Sequence, residues 1–116
     1  MSTAKARRDA SPSGLRASGE EFTEAVLRVI ESIPPGRVLA YGDIAELLGV
    51  GGPRQVGAVL SRHGSAVPWW RVPHADGSPP DCSEVAARKH WRAEGTPTKP
   101  NGNVDMRRAR WEGRTP

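Results

Sequence analysis

Tyr41-Gly42-Asp43-Ile44-Ala45-Glu46-Leu47-Leu48-Gly49-Val50-Gly51-Gly52-Pro53-Arg54-Gln55-Val56-Gly57-Ala58-Val59-Leu60-Ser61-Arg62 settles the architecture. Gly42 to Leu48 predicts a helix of about two turns, with Ile44, Ala45, Leu47 and Leu48 available to bury. Gly49 suits the left-handed position that closes a helix, because it has no Cβ to clash there. After the turn Val50-Gly51-Gly52, Pro53 fits a first helical position, where its missing N–H is not needed. The helix that follows runs to about Arg62. Val56, Val59 and Leu60 fall on one side of it, and Arg54, Ala58 and Ser61, at i, i+4 and i+7, on the other. Two short helices across a glycine turn, the second opening with an exposed arginine, form a helix-turn-helix pattern. Such pairs are also common in small all-α proteins, so the pattern alone leaves DNA binding open.

Upstream, Phe22, Val26, Val29 and Ile30 recur at i, i+4, i+7 and i+8, which predicts a first amphipathic helix, with Ser18 and Glu21 in a capping-box spacing at its start. Ile33-Pro34-Pro35-Gly36 ends it, since neither proline can donate to the helix ladder. Val38-Leu39-Ala40 reads as a short extended link. Downstream come a loop, His63 to Pro68, then Trp69-Trp70-Arg71-Val72-Pro73, and a proline-rich loop from Asp76 to Asp81. Ser83 caps a last substantial helix, Glu84 to about Glu94, which Gly95 terminates. Asn101-Gly102 is a tight-turn signal and predicts a small hairpin pairing 96–99 with 103–106. The tail Arg107-Arg108-Ala109-Arg110-Trp111 is basic with an aromatic anchor. The expected fold is mainly α: a winged-helix-like helix-turn-helix domain over residues 21–116 with a small C-terminal hairpin. Residues 1–20, with four basic and two acidic side chains in a Ser/Ala/Gly-rich setting, read as a disordered basic tail.

At 116 residues the chain suits one domain, and with 13 glycines and 11 prolines its core must be small. No apolar run approaches the ~20 residues of a membrane span, and residues 1–20 hold no signal-peptide-like apolar block. The single cysteine, Cys82, excludes an internal disulfide framework and a cysteine-cluster metal site and fits a cytoplasmic location. His63, His74 and His90 have no metal-type spacing and read as surface or packing residues, so no metal or other cofactor is expected. The net charge of +4 is a weak sign of a polyanionic partner. Its distribution says more: residues 53–75 carry Arg54, Arg62 and Arg71 and no acid.

Several blocks, in order, carry a more specific signal. Ile33-Pro34-Pro35-Gly36-Arg37-Val38, Tyr41-Gly42-Asp43-Ile44-Ala45, Arg54-Gln55-Val56-Gly57, Pro68-x-x-Arg71-Val72 and Glu94-Gly95 resemble the DNA-binding domain of O6-alkylguanine-DNA alkyltransferases. In those enzymes the fourth block reads Pro-Cys-His-Arg-Val, and its cysteine takes the alkyl group from guanine. Here Trp69 stands in the cysteine's place. That exchange is typical of the alkyltransferase-like proteins, whose C-terminal region Gly102 to Trp111 also resembles. Most of them keep the histidine that follows, whereas this chain has Trp70 there, which reads as a core or loop-anchoring aromatic. Glu94 matches the family's glutamate partner of that histidine.

The resemblance implies a protein that binds O6-alkylguanine in double-stranded DNA, flips the base out and flags it for nucleotide excision repair, as a monomer and without chemistry of its own. An indole offers no thiolate to accept an alkyl group. Cys82 lies beside Asp81 and Glu84, which raise a thiol's pKa, and reads as incidental. The resemblance further implies that Tyr41 crowds the phosphate of the target nucleotide and Arg54 fills the vacated stack, a role a planar guanidinium suits. Read without it, Arg54 is a solvated helix-end arginine, although a cation at an N-terminus opposes the helix dipole. Gln55, Gly57, Ala58 and Ser61 complete the expected DNA contacts, with the third helix entering the minor groove. Gly57 is explained equally well by close approach to DNA or by helix packing. Tyr41, Trp69, Trp70, Arg71 and Val72 form the expected lesion pocket, with Arg71 anchoring the loop, and 78–83 its lid. The alternatives are a helix-turn-helix transcription regulator reading an undamaged operator, and an active alkyltransferase using Cys82.

Overall fold

The computed structural model describes residues 14–80 and 83–113, with side chains from residue 19 onward. Helix α1, Gly14–Ser32, buries Val26 and Ile30 completely, as their spacing requires. It begins four residues ahead of Ser18, so Ser18 lies inside the helix rather than capping it, and residues 14–20 of the expected tail are helical. The remainder of that tail lies outside the described residues. At the other end the Pro34-Pro35 turn closes with Arg37 N–H donating to Pro34 C=O at 3.1 Å, and Gly36 takes φ 85°.

Helices α2, Tyr41–Leu48, and α3, Pro53–His63, are the two members of the helix-turn-helix. Asp43 accepts a 2.8 Å bond from the Ala40 N–H at the start of α2, and Gly49, with φ 77°, returns its own N–H to Ala45 C=O at 2.9 Å. The glycine turn then delivers Pro53 as the first residue of α3, where Gln55 accepts from the Gly52 N–H at 2.9 Å. Ile44 and Ala45 of α2 meet Val56, Val59 and Leu60 of α3 over α1.

Two short 3-10 turns, Gly64–Ala66 and Trp69–Arg71, lead out of the helix pair. Helix α4, Glu84–Glu94, is capped by Ser83, whose hydroxyl accepts from the Ala86 N–H at 3.3 Å, and ends at Gly95 with φ 71°. The expected C-terminal hairpin is present in its smallest form. Lys99 N–H donates to Asn103 C=O at 2.8 Å around Gly102, and the arms meet at one antiparallel bridge, Thr98 to Val104. A one-turn helix, α5, Met106–Ala109, follows.

The hydrophobic residues fall into two clusters. The first joins α1, α2 and α3 with Ile33, Leu39, Val67 and Val72. The second holds Val38, Ala87, Trp91, Val104 and Ala109. Trp69 packs against both. The extended link between α1 and α2 stitches them together through the backbone. Val38 N–H donates to Ala109 C=O at 3.0 Å, Trp111 N–H to Val38 C=O at 2.9 Å, and Leu39 N–H to Arg71 C=O at 3.0 Å.

Candidate nucleic-acid interface

The outward face of α3 carries the residues that the i, i+4, i+7 spacing placed there: Arg54, Ala58 and Ser61 are all exposed. No acid occupies the first turn of the helix. The Arg54 guanidinium makes no hydrogen bond or ion pair among the described residues. A cation held at a positive helix end with no carboxylate nearby has its electrostatic need unmet within the fold. Gln55 is also exposed, but its side-chain oxygen is engaged by the Gly52 N–H.

Tyr41, half-buried, lies across the base of this face. A Cβ placed on Gly57 would sit 3.4 Å from the Tyr41 ring, in ordinary van der Waals contact with it. The ring also meets His74, with centroids 5.0 Å apart and planes tilted by 41°. Packing in the free protein thus admits alanine at position 57 and excludes only larger side chains.

The Trp69–Arg71 turn sends successive side chains in different directions. Trp69 wedges between the two clusters, edge-on to Trp70 and His90 at 5.6 and 6.0 Å. Trp70 stacks flat on His90, with centroids 3.6 Å apart and planes within 7°. Its indole N–H donates to Glu94 Oε2 at 2.9 Å, while its backbone C=O accepts from the Trp91 indole at 2.7 Å. Arg71 is held by Glu94, Nη2 to Oε2 at 2.6 Å and Nε to Oε1 at 3.1 Å, and donates from Nη1 to Ile33 C=O at 2.9 Å. Gly36 N–H also donates to Glu94 at 3.2 Å. Burial opposes charge on Glu94, but the bonds from Arg71, Trp70 and Gly36 outweigh it and lower the carboxyl below its ordinary value.

The structure thus seats the Trp69–Arg71 turn against α4, and Arg71 anchors that turn through Glu94 and Ile33. Val72 is the most enclosed of the expected pocket residues. It is fully buried among the apolar side chains of the first cluster, and supports the turn from beneath instead of presenting a surface. His90 is a further addition. It is a packing histidine, as expected, and its setting is specific: His90 and Glu94, four residues apart on one helix, share a face and both meet Trp70.

Of the expected lid, residues 78–80 and 83 are described, whereas Asp81 and Cys82 lie outside the described residues. The turn leading into it is fixed by Asp76, whose carboxylate accepts from the Ser78 hydroxyl at 2.6 Å and the Ser78 N–H at 2.9 Å. These bonds lower its pKa, the hydroxyl contributing most. Among the described residues no three His, Cys, Asp or Glu side chains group as a metal site, and no helix is long and apolar enough to cross a membrane.

A helix-turn-helix with an exposed arginine opening its second helix, followed by an aromatic turn anchored to α4, is the framework of a DNA-binding domain of the alkyltransferase type. The sequence matches the family described as 6-O-methylguanine DNA methyltransferase, DNA binding domain, over residues 21–96, and the chain belongs to that family as an alkyltransferase-like protein. It is 37% identical over 99 residues to a DNA base-flipping protein of Escherichia coli (strain K12), covering 79% of this chain and 75% of that one. It is 32% identical over 98 residues to a DNA base-flipping protein of Vibrio parahaemolyticus, covering 80% and 98% of the two chains. The fold superposes on that of S. pombe Atl1, solved in complex with damaged DNA containing O6-carboxymethylguanine. The TM-score is 0.69 at 27% identity, over 80% of this chain and 96% of Atl1.

Proposed function

We propose that this protein recognises O6-alkylguanine in duplex DNA by turning the damaged nucleotide out of the stack and holding it, without removing the alkyl group. The observation that carries the reading is Arg54: exposed, without a hydrogen bond or ion pair among the described residues, and at the N-terminal tip of the second helix of the helix-turn-helix. Extruding a nucleotide leaves a gap whose neighbours have lost their stacking partner. A planar cation entering that gap stacks on them and donates to the orphaned cytosine. Tyr41, packed over Gly57, is assigned the phosphate of the flipped nucleotide. Gln55, Ala58 and Ser61 are assigned the groove surface, with small side chains that let the helix backbone come close. The base-flipping relatives and the lesion-bound Atl1 structure support the reading.

The flipped base is assigned to the aromatic edge formed by Trp69 and Trp70, where stacking contributes about 1–3 kcal/mol. Trp69 has no ionisable thiol, so the site holds the lesion and does not accept its alkyl group. A protein that binds damage without reversing it must pass it on, and nucleotide excision repair is the proposed recipient.

Titration against matched duplexes with and without one O6-methylguanine tests the whole reading. The alkylated duplex is expected to bind more tightly whatever its flanking sequence, and preference for one unmodified sequence would identify a transcription regulator instead. Arg54→Ala is expected to weaken lesion binding by about 1–3 kcal/mol on the same stacking scale, with stability changed by less than about 0.5 kcal/mol because the side chain is exposed. Intact mass after incubation with the alkylated duplex should be unchanged; a methyl adduct would restore Cys82 as a nucleophile.

A further inference from the structure

On the far side of α2 from α3, a groove of about 390 Å³ runs between that helix and the C-terminal segment after α5. Asp43, Glu46 and Leu47 line it from α2 at i, i+3 and i+4, opposite the buried Ile44 and Ala45 that pack toward α3. Arg110, Trp111 and Glu112 line the other wall. The floor is apolar. Leu39 lies at its base and Leu47, 51% exposed, stands in its side, with Gly113 passing close enough that a Cβ there would lie 3.5 Å from a Leu47 methyl.

The charge of the groove is opposite to that of the chain. Three carboxylates face one guanidinium, in a protein of net charge +4. Asp43 is engaged, accepting from Ala40 N–H at 2.8 Å and from Arg110 Nε at 2.9 Å. The Glu46 and Glu112 carboxylates are exposed and have no partner among the described residues. The indole N–H of Trp111, in the same wall, is buried without an acceptor among the described residues. Buried donors without partners are rare in folded proteins.

Two free carboxylates beside a leucine and a tryptophan repel phosphate and attract a cation that carries its own apolar surface. We infer that this groove docks a basic segment of a partner protein, with a bulky aliphatic side chain against Leu47 and Leu39 and a lysine or arginine at Glu46 and Glu112. No residue of α3 lines the groove, so Arg54, Ala58 and Ser61 stay open to DNA and the partner and DNA bind together; this last clause rests on the proposed function, whereas the groove does not.

The probe is a blocked ten-residue peptide of alternating leucine with lysine or arginine, titrated into the isotope-labelled full chain. Its controls replace every leucine by serine, or every basic residue by glutamate. The leucine–basic peptide is expected to shift the resonances of Leu47, Gly113 and the Trp111 indole N–H, and neither control to do so. Glu46→Gln with Glu112→Gln should weaken the peptide about fivefold, as two exposed ion pairs are lost. Leu47→Ser, a change at an exposed position, should abolish the preference for leucine. Both variants should bind the O6-methylguanine duplex as the parent does, and saturating duplex should leave peptide affinity unchanged.

Equal binding of the serine control, shifts outside the groove, or variants that bind the peptide like the parent would overturn the inference. So would a chain lacking residues 1–13 that binds the peptide more tightly, because the groove would then belong to the protein's own basic terminus. Concentration-dependent self-association removed by Leu47→Ser would assign it to a second copy. Failure of lesion binding with peptide binding intact would sink the proposed function and leave the groove standing.

Discussion

Trp70 donates its indole N–H to Glu94 and lays its ring flat on His90, so it is tied to α4 by a hydrogen bond and by a stack. Glu94 is in turn the point where three separate pieces of chain meet: the Gly36 turn, the Trp70-Arg71 turn and α4 itself. Its side chain is 13% exposed, and its charge is stabilised mostly by Arg71. Because its pKa is lower in the folded protein than the ordinary 4.5, its contribution to stability is complete above that pH. That contribution is lost as pH falls through the lower folded value. Glu94→Gln is expected to cost about 1–3 kcal/mol near neutral pH, since it leaves the Arg71 guanidinium short of an anionic partner. The gap between variant and parent should narrow as pH drops below 4.5 and close once pH is below the lower folded value, where the parent's carboxyl is also neutral. Urea unfolding of both proteins across the acid range measures this, and a gap independent of pH would show that the carboxylate's charge contributes nothing.

Helices α2 and α3 were legible in the sequence because the punctuation and the periodicity agree. Gly49 and Pro53 take the positions their backbone chemistry suits, and the exposed face of α3 is the one its spacing indicates. The start of α1 was not legible, since residues 14–20 carry no apolar repeat that distinguishes a helix from a tail. The partners of Glu94 were hidden for a different reason: Gly36 lies 58 residues away and Trp70 24, separations that local pattern does not register. The full burial of Val72 beside its half-buried neighbours was not legible either, because a contiguous motif does not reveal which way a 3-10 turn points each side chain. Gly57 was ambiguous from sequence, and the 3.4 Å separation from the Tyr41 ring leaves space for a methyl but not for a larger side chain. Gly57→Ala places a methyl 3.4 Å from the ring, at the edge of ordinary contact, and adds helix propensity of up to about 1 kcal/mol. Its melting temperature should therefore hold or rise. Gly57→Leu must move the ring, and is expected to weaken lesion-duplex binding as Tyr41→Ala does. Unchanged duplex binding by Gly57→Leu would separate the Tyr41 position from DNA recognition.

Across the whole molecule, two small apolar clusters are held together by few connections. Trp69 packs on both, and the Val38-Leu39 link bonds to Ala109 and Trp111 on one side and to Arg71 on the other. The loop before α4 has its own tie to the second cluster at Gly77. There φ is 87°, Gly77 C=O accepts from the Val104 N–H at 2.9 Å, and a Cβ would fall 2.1 Å from the Val104 carbonyl oxygen. Backbone is the least yielding neighbour a new methyl can meet, so Gly77→Ala must either break that bond or part the loop from the C-terminal turn. Gly95 provides the comparison. Its φ is 71°, and nothing lies within 4 Å of its Cβ position. Alanine at Gly95 bears only the left-handed backbone penalty of about 1–2 kcal/mol. Gly77→Ala bears that penalty and the collision, and is expected to exceed it by at least about 2 kcal/mol. Denaturant midpoints of the two variants give the difference directly. Since the loop runs into the expected lid, Gly77→Ala should also weaken lesion binding under conditions where the folded fraction is still complete. Equal midpoints for the two variants would mean that the loop yields locally, and that the tie to Val104 does not hold the clusters together.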